Sequence, residues 1–403
     1  MTFVAQTHII HRPIERQTLV DDLQTLIKFK SVTPLQAGAI DWLSMQLNAL
    51  GFNCDQFTLN NVTNLIAKIS FGDGPNYAFS GHIDVVPASG GAWRAEPFSG
   101  EIIDGAIYGR GAADMKGGVA AMLAASRALV SHEDEKQGTF YWLITSDEEG
   151  EAEYGSLLIA ERLAQQGIQL DGCIVGEPTS HLYVGDTIKN GRRGALSARL
   201  TIKGKAGHVA YPENTLNAAH LSADVVKRLT NITWQRDEPS SKTSVQITGI
   251  NVANVVDNMV PARCEMTFNI RYSHGYKSSD IKNDIQFALA DLQQYIDIEW
   301  QRPCESFYTS HQTNNCLLEK VEQAVFDVTG SYPLLSTSGG TSDGRFFANS
   351  HTQVIECGVR NNTIHQVNEH VPINDLLKIE QIYTRLLKKL FIGSFNNGSE
   401  KPD

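Results

Sequence analysis

A chain of 403 residues has room for two domains with their own cores, and 41% hydrophobic against 20% charged residues marks a folded globular protein. Its formal net charge of -11 argues against nucleic acid as the main partner, and the lack of any apolar run of about 20 residues argues against a membrane span. The opening residues (MTFVAQTHIIHRPIERQ) lack a charged start followed by an apolar core, so no signal peptide is expected. Six scattered cysteines without a CxxC pair fit the reduced thiols of a cytoplasmic protein rather than disulfides or a thiolate zinc site.

Residues 1–15 read as a poorly specified leader and 393–403 as a frayed polar tail. Leu19, Leu23, Leu26 and Ile27 recur at helical spacing and predict a helix over 15–29; a second is expected over 40–50, stopped by Gly51. Strand-like runs follow at 54–59, 65–70 and 77–83, then a hairpin turned at Asp104-Gly105. An alanine-rich buried helix is expected over 119–130. The unbroken apolar run TFYWLIT (139–145) suits a strand in the middle of a sheet covered on both faces. A helix over 155–165 and a strand over 172–175 continue the alternation, which indicates an α/β fold with helices on both faces of the sheet.

After about Gly194 the pattern changes. Strands at 196–203, 244–250, 264–272 and 296–301, with helices at 217–229 and 281–292, give a strand-helix-strand-strand-helix-strand order. That order suits a small open sheet with two helices on one face, an α+β, ferredoxin-like arrangement. The first pattern resumes with helices at 317–329 and 376–391 around a strand at 353–357. Residues 194–306 are therefore expected as a smaller domain inserted into a larger one made of 1–193 and 307–403.

The chemistry-bearing residues gather at expected strand ends. His82 and Asp84 are two apart in GHIDVVP, which in a strand puts both side chains on one face. A carboxylate beside a metal-binding histidine commonly fixes its tautomer, although the pair alone also fits a core histidine. Asp114, among the small residues of GRGAADMKGG, fits either a metal ligand or a helix N-cap. Asp147, Glu148 and Glu149 directly follow TFYWLIT, where three carboxylates would repel unless a cation offsets them; a solvated acidic turn is the alternative. Glu177 ends GCIVGEPTS in the same way, and His365 follows the 353–357 strand. Ligands bind beyond the C-terminal ends of strands in open α/β sheets, and imidazole with carboxylate suits zinc and its neighbours. Two histidines and three carboxylates serve two metals only if one carboxylate bridges, and a bridging Asp114 would give each metal one histidine. Glu148 and Glu149 would then divide the roles of ligand and proton carrier. In an acidic chain the run Lys189, Arg192 and Arg193 reads either as a solvated turn or as a clamp for substrate carboxylates.

The segments GHIDVVP, YGRGAADMKGG, TSDEEG and VGEPTS resemble the metal-site motifs of the dinuclear zinc amidohydrolases, a family of metallopeptidases and deacylases. The likeness runs in matching order over about 16–391, and IKNGRRGALS, KAGHVAYP, STSGGTSDGRFF and NNTIHQVNE narrow it to one deacylase branch. The resemblance implies a catalytic domain carrying two divalent metals, Zn2+ with Co2+ as an option in one site, and an inserted dimerisation domain. It implies one metal on His82, Asp114 and Glu177 and the other on Asp114, Glu149 and His365. Glu148 matches the general base and Asp84 the support of His82. His208 matches a histidine that reaches the neighbouring subunit's site in a homodimer. Lys189, Arg192, Tyr211, Asn258, Gly340, Thr341 and Asn361 match substrate contacts, for a small-molecule amide that carries carboxylates. The chain departs from the family at Asn217-Ala218-Ala219-His220, where Asn-Pro-x-His is usual, and at His370.

Overall fold

The computed structural model describes residues 13–252, 256–311 and 316–392, and the expected leader up to residue 12 and tail from 393 lie outside them. By their contacts the chain forms two compact units. One comprises Met1–Asn190, Thr309–Leu335 and Phe346–Asp403, the other Gly191–Tyr308 and Ser336–Arg345.

The larger unit is built on an eight-stranded mixed sheet. Its middle is parallel: Thr139–Thr145, Asn76–His82, Gly172–Val175 and Gln353–Glu356 lie side by side in that order. Antiparallel strands flank this centre, with Val62–Ser70 and Asn53–Leu59 on one side and Thr187–Lys189 on the other. Six of the seven residues of Thr139–Thr145 are buried, as a strand covered on both faces requires. Phe79 and Trp142 meet edge to face at 4.9 Å on neighbouring strands. Helices Pro13–Lys28, Ala39–Ala49, Gly117–Val130, Leu317–Thr329 and Ile373–Phe391 share one hydrophobic core with the sheet. Helix Ser156–Gln165 packs on Val62–Ser70 and Thr139–Thr145 through Ile159 and Leu163, which stand apart from that core. The hairpin turns as its sequence requires, with Asp104 at φ 51 and Gly105 at φ 75.

The second unit has a four-stranded antiparallel sheet in the order Ser244–Asn251, Arg263–Tyr272, Gly194–Lys203, Ile296–Trp300. With helices Ala218–Thr230 and Ser278–Ala288 it makes the expected ferredoxin-like order around a core of its own, which includes Leu200, Phe268 and Ile281. Asn217 caps the first helix by accepting from the amides of Ala219 and His220. The second helix is earlier and shorter than the expected 281–292. It starts beside Lys277, whose amide donates to Asp280, and gives way at Leu289 (φ -110, ψ 11) to the 3-10 turn Ala290–Tyr295. Ser336–Arg345, expected with the larger domain, belongs with the second unit: Arg192 donates to the carbonyls of Ser338 and Gly340, and Thr337 to that of Ser240.

Candidate metal centre

The candidate ligands of the larger unit stand where its parallel strands end. His82 closes Asn76–His82 and lies in register with Thr145, the last residue of the neighbouring strand. Glu148 and Glu149 follow that strand, and Glu177 lies just beyond Gly172–Val175. Asp114 is carried over this edge by the turn Ala112–Lys116, in which its backbone (φ -120, ψ 95) is not helical. Met115 seats the turn. A Cβ at Gly81 would come within 2.5 Å of the Met115 Cε and one at Gly176 within 2.6 Å, so glycine at both positions leaves the socket.

The side chains converge. His82 Nε2 lies 3.5 Å from both Asp114 Oδ1 and Glu177 Oε1, and 3.9 Å from Glu148 Oε2. His365 Nε2 lies 3.3 Å from the other Asp114 oxygen, Oδ2, and 2.9 Å from Glu149 Oε1. Asp114 therefore turns one oxygen to each imidazole. Among the described residues, two groups have ligand atoms within 4.8 Å of one another: His82 with Glu148 and Glu177, and His82 with Asp114 and Glu149.

The donor set fits a divalent cation. His82 Nδ1 lies 2.9 Å from the backbone carbonyl of Asp84, which can only accept, so Nδ1 holds a proton and Nε2 is the nitrogen turned towards the carboxylates. That Nε2 is buried without a hydrogen-bond partner and faces carboxylate oxygens, an arrangement of acceptors that a cation between them would satisfy. The groups also shift one another's titration. Burial and the charge of Asp114 push Glu177 up to about 7 against the pull of His82. Burial would raise Asp114 too, but His365 and His82 hold it well below the usual carboxylate range. Hydrogen bonds to Asp114 and Glu149 push His365 up to about 10.

Two carboxylates differ from expectation. Asp84 meets the imidazole of His82 through its carbonyl, while its carboxylate stands 3.6 Å off. That carboxylate instead accepts from the amides of Glu148 (3.3 Å) and Glu149 (3.1 Å), so it orients the turn that carries them. Burial pushes it up to about 6, with His82 opposing. Asp147 does not join the acidic convergence; it is buried and accepts from the amides of Glu153 and Tyr154, which closes its own loop.

The remaining candidates divide between the units. Lys189 is buried in its strand and Asn361 half-buried in the larger unit, its amide donating to the Ser180 carbonyl. In the second unit Arg192 is buried against the segment that holds Gly340 and Thr341, and Arg193 donates to the Lys242 carbonyl. A basic run with Lys189 3% and Arg192 8% exposed is no solvated turn. His208 and Tyr211 are exposed with ring centroids 5.8 Å apart, and Val209 donates to the Asn258 carbonyl. His208 and Asn258 line a cavity of about 370 Å³ in that unit. Arg110 and Glu369 of the larger unit are fully buried beside the centre, yet nothing in sequence separates a buried charged pair from two exposed charges. The one available signal is that Glu369 lies close after His365.

Residues 78–389 match the description of peptidase family M20/M25/M40. The succinyl-diaminopimelate desuccinylase 1 of Alteromonas mediterranea is 45% identical over 372 residues, covering 91% of this chain and 95% of that protein. The succinyl-diaminopimelate desuccinylase 2 of Shewanella loihica is 44% identical, covering 90% of this chain and 98% of its own. Among solved structures, the aminopeptidase PepT of Bacillus cereus superposes with a TM-score of 0.74 at 21% identity, covering 93% of this chain and 98% of that one. The YXEP protein of Bacillus subtilis, a dinuclear metal binding peptidase, superposes at 0.70 with 16% identity, covering 94% and 99%. At such identities the two structures speak for the fold. Taken with the family match and the two sequence relatives, they make this chain a member of peptidase family M20/M25/M40.

Proposed function

We propose that this protein hydrolyses the amide of N-succinyl-LL-2,6-diaminopimelate to succinate and LL-2,6-diaminopimelate, a step towards lysine and diaminopimelate. The observation that carries the reading is Asp114 facing both His82 and His365, in a chain similar over 91% of its length to a relative of that name. The NGRRG and GGTSDGRF segments, which resemble the same branch, add to it.

In this reading His82, Asp114 and Glu177 hold one cation and Asp114, Glu149 and His365 the other, with Zn2+ in both or Co2+ in one. When bound, the pair supplies Lewis acidity towards the scissile carbonyl and makes water more acidic. Glu148 takes the proton of the attacking water at its carboxylate and delivers it to the departing amine nitrogen, so the amide C–N bond is exchanged for C–O and N–H. Asp84 keeps Glu148 and Glu149 aimed through their amides and holds the His82 ring through its carbonyl. His208 from a second copy of the chain donates to the developing oxyanion, which makes the active form a homodimer joined through the second unit. Lys189 and Arg192 take substrate carboxylates, with Tyr211, Asn258, Gly340, Thr341 and Asn361 as the polar surround. Six free thiols fit the cytoplasm as its compartment, and no helix among the described residues is long and apolar enough to cross a membrane.

The test is a side-by-side rate measurement on N-succinyl-LL-2,6-diaminopimelate and N-acetylornithine, with metal content measured on the same sample. Faster turnover of the succinyl substrate by protein holding two metals per chain is expected. Preference for acetylornithine would move the chain to a sister deacylase, and a metal-loaded but silent protein would make it a binding protein.

A further inference from the structure

Beside the candidate ligands lies a charged pair that touches none of them through a ligand atom. Glu369 is fully buried, and four donors use up its carboxylate. Oε1 accepts from the amides of Ala113 (3.0 Å) and Asp114 (3.1 Å), and Oε2 from the amide of Gly111 (3.0 Å) and from Arg110 Nη1 (2.7 Å). Two of the four donors belong to the turn that carries Asp114, and a third, Gly111, is the residue at its start. With its lone pairs so engaged, Glu369 is no ligand.

Arg110, 2% exposed, reaches the other way. Its guanidinium lies 5.2 Å over the Trp93 ring and donates to the carbonyls of Gln366 (3.2 Å), Pro87 (3.4 Å) and His365 (3.5 Å). His365 needs holding, since its backbone is left-handed (φ 59), a conformation a non-glycine residue keeps only when its surroundings impose it. Stability alone does not account for the pair, because well-packed apolar side chains commonly replace a buried ion pair at no loss. What it does provide is a rigid link between two segments more than 250 residues apart in sequence whose side chains meet at 3.3 Å.

We infer that the buried Arg110–Glu369 pair positions the metal centre: Glu369 sets the turn of Asp114 and Arg110 sets the backbone of His365. Carboxylate and imidazole then stand at a fixed separation before any cation arrives. The inference rests on the metal centre proposed above. Both residues are positioning residues, acting through Asp114 and His365.

The test measures Zn2+ affinity by chelator competition, the visible absorption of the Co2+-substituted protein, and thermal unfolding of the metal-free protein. Glu369→Gln is expected to weaken the less tightly held cation about 10–100-fold and to alter the Co2+ bands. Arg110→Lys keeps a charge for Glu369 but loses the fork that reaches His365, so a loss of about 10-fold is expected. Asp22→Asn breaks the pair with Arg127, remote from the centre, and is expected to lower the melting temperature while leaving both affinities unchanged. A folded Glu369→Gln protein that binds both cations as tightly as wild type overturns the inference. So does failure of both Glu369→Gln and Arg110→Lys to fold, because the pair would then hold the unit rather than the centre. If wild type itself does not take up two cations, the proposed metal centre fails; if it does and the variants match it, only the positioning role fails.

Discussion

The two units carry most of their candidate functional groups in different ways, with Arg192 of the second unit a buried exception. In the larger one His82, Asp84, Asp114 and Glu177 are buried, and the unpartnered Nε2 of His82 among carboxylate oxygens points to a cation. In the second, His208 and Tyr211 lie in the open, where water meets every requirement and the structure of the unit alone does not select a role for them. Burial makes a polar group declare its partner, because an unsatisfied acceptor away from water costs on the order of 1–3 kcal/mol. Exposure removes that constraint. The buried set can therefore be argued from its geometry, while the exposed set leans on resemblance.

Substitutions in each set test this difference. Glu148→Gln should keep both cations and lower kcat by about 10²–10⁴; near-normal turnover in the metal-loaded variant would remove Glu148 from the role of base. His208→Ala should lower kcat by about 10²–10³ with metal content unchanged. Unchanged kcat there would confine the chemistry to the buried set. Asp114→Ala should lose both cations where His82→Ala loses mainly one, read as metal per chain after gel filtration. Equal loss in the two variants would count against the bridge.

The smallest effect concerns burial in the larger unit away from the centre. Burial, aided by Asp171 and then Cys316, pushes Tyr77 from the usual 10 up to about 12. The folded protein thus holds this proton longer than the unfolded chain does. The stability it contributes is full below pH 10 and is lost as pH rises through 12, a difference of about 2–3 kcal/mol. In denaturant titrations between pH 10 and 12, Tyr77→Phe should lose stability less steeply than wild type. An identical slope would mean that Tyr77 does not carry it.

Much of this was legible in the residues, and where it was not the reason is specific. TFYWLIT declared a central strand because only a strand covered on both faces tolerates such a run, and Asp104-Gly105 declared its turn because both positions need positive φ. The helix expected from 217 starts there, with Asn217 as its cap. The acidic cluster is not uniform. Asp147 looks like Glu148 and Glu149 in sequence, yet the amides of Glu153 and Tyr154 claim it. Asp84 meets His82 through its carbonyl rather than its carboxylate, since spacing along a strand does not say which of the two faces the ring.

The alternation of strands and helices, the ferredoxin-like order of the second region, and the set of imidazoles and carboxylates at strand ends are legible in the residues alone. Those follow from periodicity, turn chemistry and local motifs, each of which acts over a few residues. Folding adds that Asp114 turns one oxygen to His82 and the other to His365, that Ser336–Arg345 packs with the second unit, and that Glu369 and Arg110 form one buried link. Each of these joins segments far apart in the chain. Their pairing depends on which groups lose their water together, and no local pattern encodes that.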